Sequence, residues 1–344
     1  MKEDDIYMRR CLELAAMGRG TTYPNPMVGS VIVCDGRIIG EGYHHHAGGA
    51  HAEVNAVNSV TDKSLLTRST IYVSLEPCAH FGKTPPCCDL IIRMGIPRVK
   101  VGCVDTFSKV SGQGIQRMRD NGIEVTVGIM EEECIAMNRR FFTYHNKRRP
   151  YIILKWAQSS DGYITGKGST PVWITNDECK TLVHKQRSEE HAILIGANTA
   201  NIDNPSLTNR EWGGNSPKRF ILSPNESVRR ELTMLNDGQS TTILTNGDSR
   251  DEGNVKYLHI CNEGSSIAQR IATTLYNEGI HSVIIEGGRQ TIQAFIDEGI
   301  WDEAFIYEGL IKLKDGVKAP IIENNQNVEK LFIGECTLTI LKHS

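Results

Sequence analysis

Residues 28–57 read VGSVIVCDGRIIGEGYHHHAGGAHAEVNAV. Two apolar runs flank the pair Asp35-Gly36, which suits a tight turn, so the stretch opens as a β-hairpin. Three histidines follow in a loop, and His51-Ala52-Glu53 then starts a short helix, HAEVNAVNSV. Upstream, DDIYMRRCLELAAMGRG predicts a helix, with Asp4 and Asp5 in its first turn and Ile6, Leu12, Ala15 and Ala16 as its apolar face. Downstream, the strand TIYVSLEP is followed by the helix PPCCDLIIRMGI, with Pro near its start and Gly95 near its end. The strand RVKVGCV, the helix QGIQRMRDNG and the strand IEVTVGI complete the half. A hairpin followed by repeated helix–strand units predicts a three-layer α/β domain with helices on both faces of a sheet.

The segment Tyr144–Pro150, YHNKRRP, is polar, basic and ends in Pro, the pattern of a linker, which divides the chain at 1–146 and 147–344. Beyond it α/β patterning restarts: strands PYIILKWA, HAILIGA, KRFILS, TTILT, VKYLHI and HSVIIEGG, and helices NDECKTLVHKQRS, SSIAQRIATTLYNEG and RQTIQAFIDEG. Ile267, Ile271 and Leu275 recur at i, i+4, i+8. There is no short internal repeat. The length of 344 residues suits two domains. With 38 Lys+Arg against 41 Asp+Glu, net charge −3, the chain lacks the basic field that a nucleic-acid partner requires. No apolar run is long enough for a bilayer, and MKEDDIYMRR does not read as a signal peptide, so a cytoplasmic protein without a membrane partner is expected. In that compartment the ten cysteines are candidates for metal ligands or small core residues rather than disulfides.

Three short motifs carry chemistry: His51-Ala52-Glu53, Glu76-Pro77-Cys78 and Pro85-Pro86-Cys87. One His and two Cys make a three-ligand zinc site with a fourth position open to water, the catalytic rather than the structural pattern. Zinc brings the pKa of such a water toward neutrality, and Glu53, two residues from His51, is placed to carry its proton. His-x-Glu with a Pro-Cys pair is the signature of zinc nucleobase deaminases. Cys88 competes with Cys87 on spacing alone, and of His44, His45 and His46 only one is expected to face the site. Eight residues, AHFGKTPP, separate Cys78 from Cys87, where a plain deaminase has two. This insertion brings His80 and Lys83 near the metal and points to an anionic substrate.

TTYPNPMVGSVIV, GEGYHHHAGGAHAEVNAV and VSLEPCAHFGKTPPCCDLII strongly resemble the deaminase half of the RibD family of bifunctional riboflavin-biosynthesis enzymes. The resemblance implies a cytidine-deaminase-like three-layer αβα domain that deaminates 2,5-diamino-6-(5-phosphoribosylamino)pyrimidin-4(3H)-one. It assigns one zinc per chain to His51, Cys78 and Cys87, choosing Cys87 over Cys88. It also assigns the proton transfer to Glu53 and substrate contacts to Asn25, His44, His80 and Lys83. One departure is Asp105-Thr106-Phe107-Ser108, where the family usually has D-P-N-P.

The second half has no G-x-G-x-x-G after a strand, so a standard dinucleotide fold is not supported. IIEGG, at 284–288, places a carboxylate and two glycines at a strand end, and Gly196–Arg210 reads as a polar loop. Taken singly these are weak signals, but the order of LKWAQSSDGYIT, VWIT, HAILIGANTANIDNPSLTNR and VIIEGG is similar to the reductase half of the same family. That resemblance implies a dihydrofolate-reductase-like α/β domain that uses NADPH to reduce the ribosyl chain of the deaminated product to ribityl. Residue by residue it assigns Gln158, Trp173, Thr199 and Asp203 to the cofactor, and Arg187, Leu207, Arg210 and Glu286 to the phosphorylated substrate. Departures here are Ser160 within S-L-D-G, Pro171 two residues before Trp173, and the bulkier Gln158. A homo-oligomer, dimer or tetramer, is expected. Two other readings compete: a nucleoside- or tRNA-type deaminase with an unrelated second half, and a catalytically dead zinc-stabilised binding module.

Overall fold

The computed structural model describes residues 2–79, 81, 85–105, 112–167, 172–323 and 328–343. The chain divides into two compact units, Met1–Lys147 and Arg148–Ser344.

The first unit contains α1 (Glu3–Ala16), β1 (Gly29–Cys34), β2 (Arg37–Tyr43), α2 (Ala52–Ser59), β3 (Thr70–Leu75) and α3 (Cys87–Arg93). It continues with β4 (Arg98–Cys103), α4 (Gln113–Asp120), β5 (Glu124–Val127), α5 (Glu131–Met137) and α6 (Arg139–Lys147). The sheet order is β2-β1-β3-β4-β5. The hairpin and the β1–β3 pair are antiparallel, and β3–β4 and β4–β5 are parallel. Asp35 and Gly36 both take positive φ, 50° and 71°, which matches the twist of a two-residue hairpin turn. Strand alternation splits the apolar residues between two faces. Ile32, Ile71, Val73 and Val99 pack with Ala56 of α2, Ile91 of α3 and Met118 of α4. Val31, Val33 and Tyr72 pack with Met8 of α1, Cys134 of α5 and Phe142 of α6. The result is three layers.

Two sequence expectations need correcting here. The buried stripe of α1 is Met8, Cys11, Leu12 and Ala15, spaced i, i+3, i+4, i+7, whereas Ile6 is 51% exposed. Most of the expected linker Tyr144–Pro150 is helical, because α6 runs through Lys147. Phe142 and Thr143 are the buried residues of that helix, and its polar C-terminal turn mimics linker composition.

The second unit contains β6 (Tyr151–Ser159), β7 (Tyr163–Gly166), α7 (Asp177–Glu189), β8 (Ala192–Gly196), α8 (Ala197–Asp203) and β9 (Lys218–Leu222). There follow α9 (Thr233–Asn236), β10 (Thr241–Thr245), β11 (Arg250–Glu252), β12 (Val255–His259), α10 (Ile267–Asn277) and β13 (Ser282–Glu286). The unit ends with α11 (Arg289–Glu298), β14 (Glu303–Gly309), β15 (Gly316–Lys318), β16 (Val328–Ile333) and β17 (Cys336–Lys342). Among the described residues, ten strands form one sheet, β11-β12-β10-β9-β8-β13-β6-β14-β17-β16, and β7 pairs with β15 apart from it. The run from β12 to β14 is parallel, with antiparallel strands at both edges. Its central strands are covered on both faces, so they read as apolar runs. Leu154, Leu194 and Ile285 face α10 and α11, and Ile193, Ile221 and Ile284 face a second core with Ala200 of α8. Gly196–Arg210 is therefore not wholly a loop: Ala197–Asp203 is helical. It buries only Ala197 and Ala200, which leaves no apolar periodicity to read.

Candidate functional site

His51 sits immediately before α2 with extended backbone, φ −70° and ψ 161°, and Glu53 lies in the first turn of that helix. Gly40 and Gly42 bring β2 flush against α2: a Cβ at Gly42 would lie 2.3 Å from the Ala56 nitrogen, and one at Gly40 would lie 2.6 Å from its oxygen. Cys78 follows β3, and Cys87 is the first residue of α3. These elements bring His51 Nδ1 and the two Sγ atoms within 4.8 Å of one another. His51 Nδ1 is 3.3 Å from Cys87 Sγ and 3.6 Å from Cys78 Sγ, and the Cys87 N–H donates to Cys78 Sγ at 3.3 Å. One imidazole and two thiols suit zinc, and three donors leave a coordination position open. Cys88 lies elsewhere: it is fully buried among Ile91 and Val101, with its thiol directed at Asp89 Oδ1, 3.7 Å away.

The charges of the cluster are interdependent. A hydrogen bond from Cys87, working against burial, and then the neighbouring His51 hold the Cys78 thiol well below the ordinary thiol range. The Cys78 contact in turn raises the His51 pKa. Glu53 is 3% exposed. Burial first, and then the Cys78 charge, push its carboxyl up to about 7.

Asn25 and His44 adjoin this cluster. Asn25 Nδ2 is 3.0 Å from His44 Nε2, and His44 Nδ1 is 3.0 Å from the Ala50 carbonyl. The carbonyl can only accept, so Nδ1 carries the proton and Nε2 accepts from Asn25. The His44 ring meets that of His51 edge-on at 5.7 Å, while His45 stacks on Tyr43. The Asn25 loop is held by a residue that the sequence did not single out: Asn138 bonds both the N–H and the carbonyl of Met27, at 2.8 and 2.9 Å. His80 and Lys83 lie outside the described residues, as do Thr106, Phe107, Ser108 and Pro171.

In the second unit, β13, the middle of β6 and α7 bring together a polar group of their own. Glu286 ends β13 and accepts from Lys155 Nζ at 2.7 Å and from Arg187 Nη2 at 2.9 and 3.1 Å. Burial alone would raise this carboxyl, but the charges of Arg187 and Lys155 overrule it and hold the pKa down to about 2. Arg187 also donates to the Thr208 carbonyl, at 3.4 Å, and Arg210 donates to Thr208 Oγ1 at 2.9 Å. The Arg210 N–H donates to His184 Nδ1 at 3.0 Å. Leu207, buried with a positive φ of 54°, turns the chain between Arg219, which binds the Ser206 carbonyl, and Thr208. Thr208 thus links Arg210 to the Arg187–Glu286 pair.

The cofactor candidates lie on separate segments. Thr199 packs on the Gly287-Gly288 turn at the start of α11, where a Cβ at Gly287 would fall 2.8 Å from Thr199 Cγ2. Both glycines have positive φ, which lets the backbone approach Thr199 closely. Gln158 accepts from Trp156 Nε1 at 2.9 Å and donates to Glu308 at 3.0 Å. Trp173 is 76% exposed, and Asp203 is exposed at the end of α8.

Residues 1–103 match the cytidine and deoxycytidylate deaminase zinc-binding region, and residues 150–309 match the RibD C-terminal domain. Riboflavin biosynthesis protein RibD of Aquifex aeolicus (strain VF5) is 40% identical over 311 residues, covering 88% of this chain and 86% of that protein. The chain belongs to the RibD family. A second RibD, from Actinobacillus pleuropneumoniae, is 45% identical over 311 residues, covering 88% of this chain and 82% of its own. The crystal structure of the Thermotoga maritima deaminase/reductase superposes with a TM-score of 0.89 at 33% identity, covering 99% of each chain. As in the RibD family, this chain joins a zinc-binding deaminase domain of cytidine-deaminase type to an NADPH-dependent reductase domain of dihydrofolate-reductase type. It is a bifunctional deaminase/reductase of riboflavin biosynthesis. The match at 150–309 overturns the reading of an unrelated second half. Lys155 went unnoticed in the sequence, yet a lysine inside the apolar strand YIILKWA was itself a signal, since an unpaired charge is rarely buried there.

Proposed function

We propose that His51, Cys78 and Cys87 hold one zinc ion and that Glu53 carries protons during hydrolytic deamination. The substrate would be the diaminohydroxyphosphoribosylaminopyrimidine named for the Thermotoga maritima relative. The carrying observation is the convergence of one imidazole and two thiols beside a buried carboxylate. A zinc ion there supplies the Lewis acidity that makes a hydroxide nucleophile accessible near neutral pH. Glu53 accepts one proton from water and passes it to the pyrimidine ring nitrogen, then carries a second proton, from the hydroxyl on the attacked carbon, to the amine as it leaves as ammonia. His44, its Nδ1 proton fixed by Ala50, orients Asn25, and both contact the substrate. His80 and Lys83 complete this contact set on the strength of the family pattern.

In the second unit, Arg187, Leu207, Arg210 and Glu286 bind the phosphoribosylamino chain of the deaminated uracil, the arginines supplying charge for its phosphate. Gln158, Trp173, Thr199 and Asp203 hold NADPH, which supplies the hydride that converts ribosyl to ribityl. The Thr199 contact with Gly287-Gly288 supports that placement, because a close backbone turn before a helix suits a phosphate. A cytoplasmic location accords with ten free thiols and with the absence, among the described residues, of a helix long and apolar enough to cross a membrane. A homo-oligomer is the assembly the resemblance implies, and light scattering reads it directly. The test of function is incubation of purified protein with the diaminopyrimidine ribosyl phosphate, with and without NADPH, followed by mass. The replacement of an amine by oxygen should appear without NADPH, and a gain of two hydrogens only with it. No mass change in either arm rejects the proposal.

A further inference from the structure

Glu76 follows β3 and precedes Pro77-Cys78, yet it takes no part in the cluster of donor atoms. Its side chain is buried, 5% exposed, and four backbone N–H groups converge on it. Oε2 accepts from Asp105 at 3.3 Å and from Gly112 at 3.0 Å, while Oε1 accepts from Gly114 at 3.0 Å and from Ile115 at 3.4 Å. Gly112 precedes α4, and Gly114 and Ile115 belong to its first turn. The first turn of a helix leaves its N–H groups without partners inside the helix, and the residue at Gly112 has no side chain to serve them. A carboxylate 36 residues earlier in the chain serves them instead. The Glu76 backbone is fixed as well, since its N–H donates to the Cys103 carbonyl at the end of β4 at 3.0 Å.

A second contact ties the same helix to the next residue of the motif. A Cβ at Gly114 would stand 2.1 Å from the Pro77 carbonyl oxygen, so α4 rests directly on the peptide that leads into Cys78. From there Cys78 is joined to α3: its carbonyl accepts the Cys88 N–H, and its Sγ accepts the Cys87 N–H, each at 3.3 Å.

We infer that Glu76 and Gly114 are positioning residues of the metal centre, locking the start of α4 onto Glu76-Pro77 so that Cys78 Sγ is held at the His51–Cys87 pair. The inference rests on the reading of His51, Cys78 and Cys87 as zinc ligands. Glu76→Gln keeps the side-chain shape but turns a donating NH2 toward N–H groups, and Gly114→Ala keeps the carboxylate but displaces Pro77. Val99→Ala serves as a control that loosens the same unit from its core, away from these contacts.

The test uses the full chain, stripped of metal. Zinc affinity is measured by competition with a chelator, and cobalt(II) substitution reports thiolate geometry through its absorption bands. Glu76→Gln and Gly114→Ala should each weaken zinc binding tenfold or more and shift the thiolate–cobalt bands. Val99→Ala should leave both within about twofold. NADPH-dependent reductase activity, housed in the other unit, should persist in all three. If both site variants match Val99→Ala in zinc affinity and cobalt spectrum, Glu76 and Gly114 merely support the fold and the inference falls. Should Glu76→Gln fail to fold, Gly114→Ala decides alone. If the unaltered protein takes up no zinc, the ligand reading fails and the inference with it.

Discussion

Arg187 Nη2 lies 2.9 and 3.1 Å from the two carboxylate oxygens of Glu286, so a cation assigned to the substrate also keeps a buried acid ionised. Arg210, exposed and bonded to Thr208 Oγ1, has no such second duty. Arg187→Ala and Arg210→Ala should therefore differ. Both should lower affinity for the phosphorylated substrate about ten- to a hundredfold, through the loss of a charge-assisted contact. Only Arg187→Ala should also destabilise the reductase unit, by about 2–3 kcal/mol, because it leaves Lys155 as the remaining partner of Glu286. Denaturant titration with substrate-binding measurements separates the two. Equal stability of the variants would show that the Arg187–Glu286 pair contributes nothing net to folding. NADPH affinity should stay within a fewfold in both, whereas Thr199 and Asp203 variants should weaken NADPH more than substrate.

Glu53→Gln preserves shape and removes the proton carrier. Zinc content should be unchanged, deamination should fall by about two to four orders of magnitude, and reduction of pre-deaminated substrate should continue at its original rate. Deaminase turnover within tenfold of the unaltered enzyme would exclude Glu53 as the carrier.

The neighbouring cysteines Cys87 and Cys88 make opposite predictions. Cys78→Ser and Cys87→Ser should each empty the metal site, read by elemental analysis of the purified protein. Cys88→Ser changes a core side chain packed near Ile91, so it should cost about 1 kcal/mol of stability and retain the metal. Metal loss in Cys88→Ser alone would reverse the assignment.

His191, just before β8, sets a pH dependence. Burial, and then Lys218, push its pKa down to about 4. Unfolded, it titrates near 6.5. Between these values the unfolded chain binds more protons than the folded one, so stability falls as the pH drops below about 6.5 and levels off below about 4. From pH 7 to pH 5 this group alone should remove about 2 kcal/mol. His191→Asn keeps an acceptor where Nδ1 receives the His281 N–H, and its unfolding free energy should decline less over that interval. Identical pH slopes for the two proteins would assign the acid sensitivity elsewhere.

Much of the first unit was legible because its signals are local. Asp35-Gly36 marks a turn by itself, and His51, Glu53, Cys78 and Cys87 stand at helix and strand ends where short motifs are read. The role of Asn138 was not legible, since it reaches across 111 residues to Met27. In the second unit, α8 escaped because its buried residues are two alanines, too small to form an apolar pattern. The ends of Tyr144–Pro150 show the opposite failure: polar residues on the outer side of a helix look like a linker when the buried Phe142 falls just outside the window.

The group around Glu286 sets two cations, Lys155 and Arg187, against one carboxylate, with Arg210 nearby on Thr208. Two cations on one carboxylate in a sheltered place leave the unliganded reductase unit with a local surplus of positive charge. An arriving phosphate dianion would dissipate it. Saturating substrate should then act as a folding stabiliser, raising the melting temperature of this unit in proportion to the logarithm of its concentration. Raised salt should reproduce little of that gain, because these pairs are largely buried and screening is weak there.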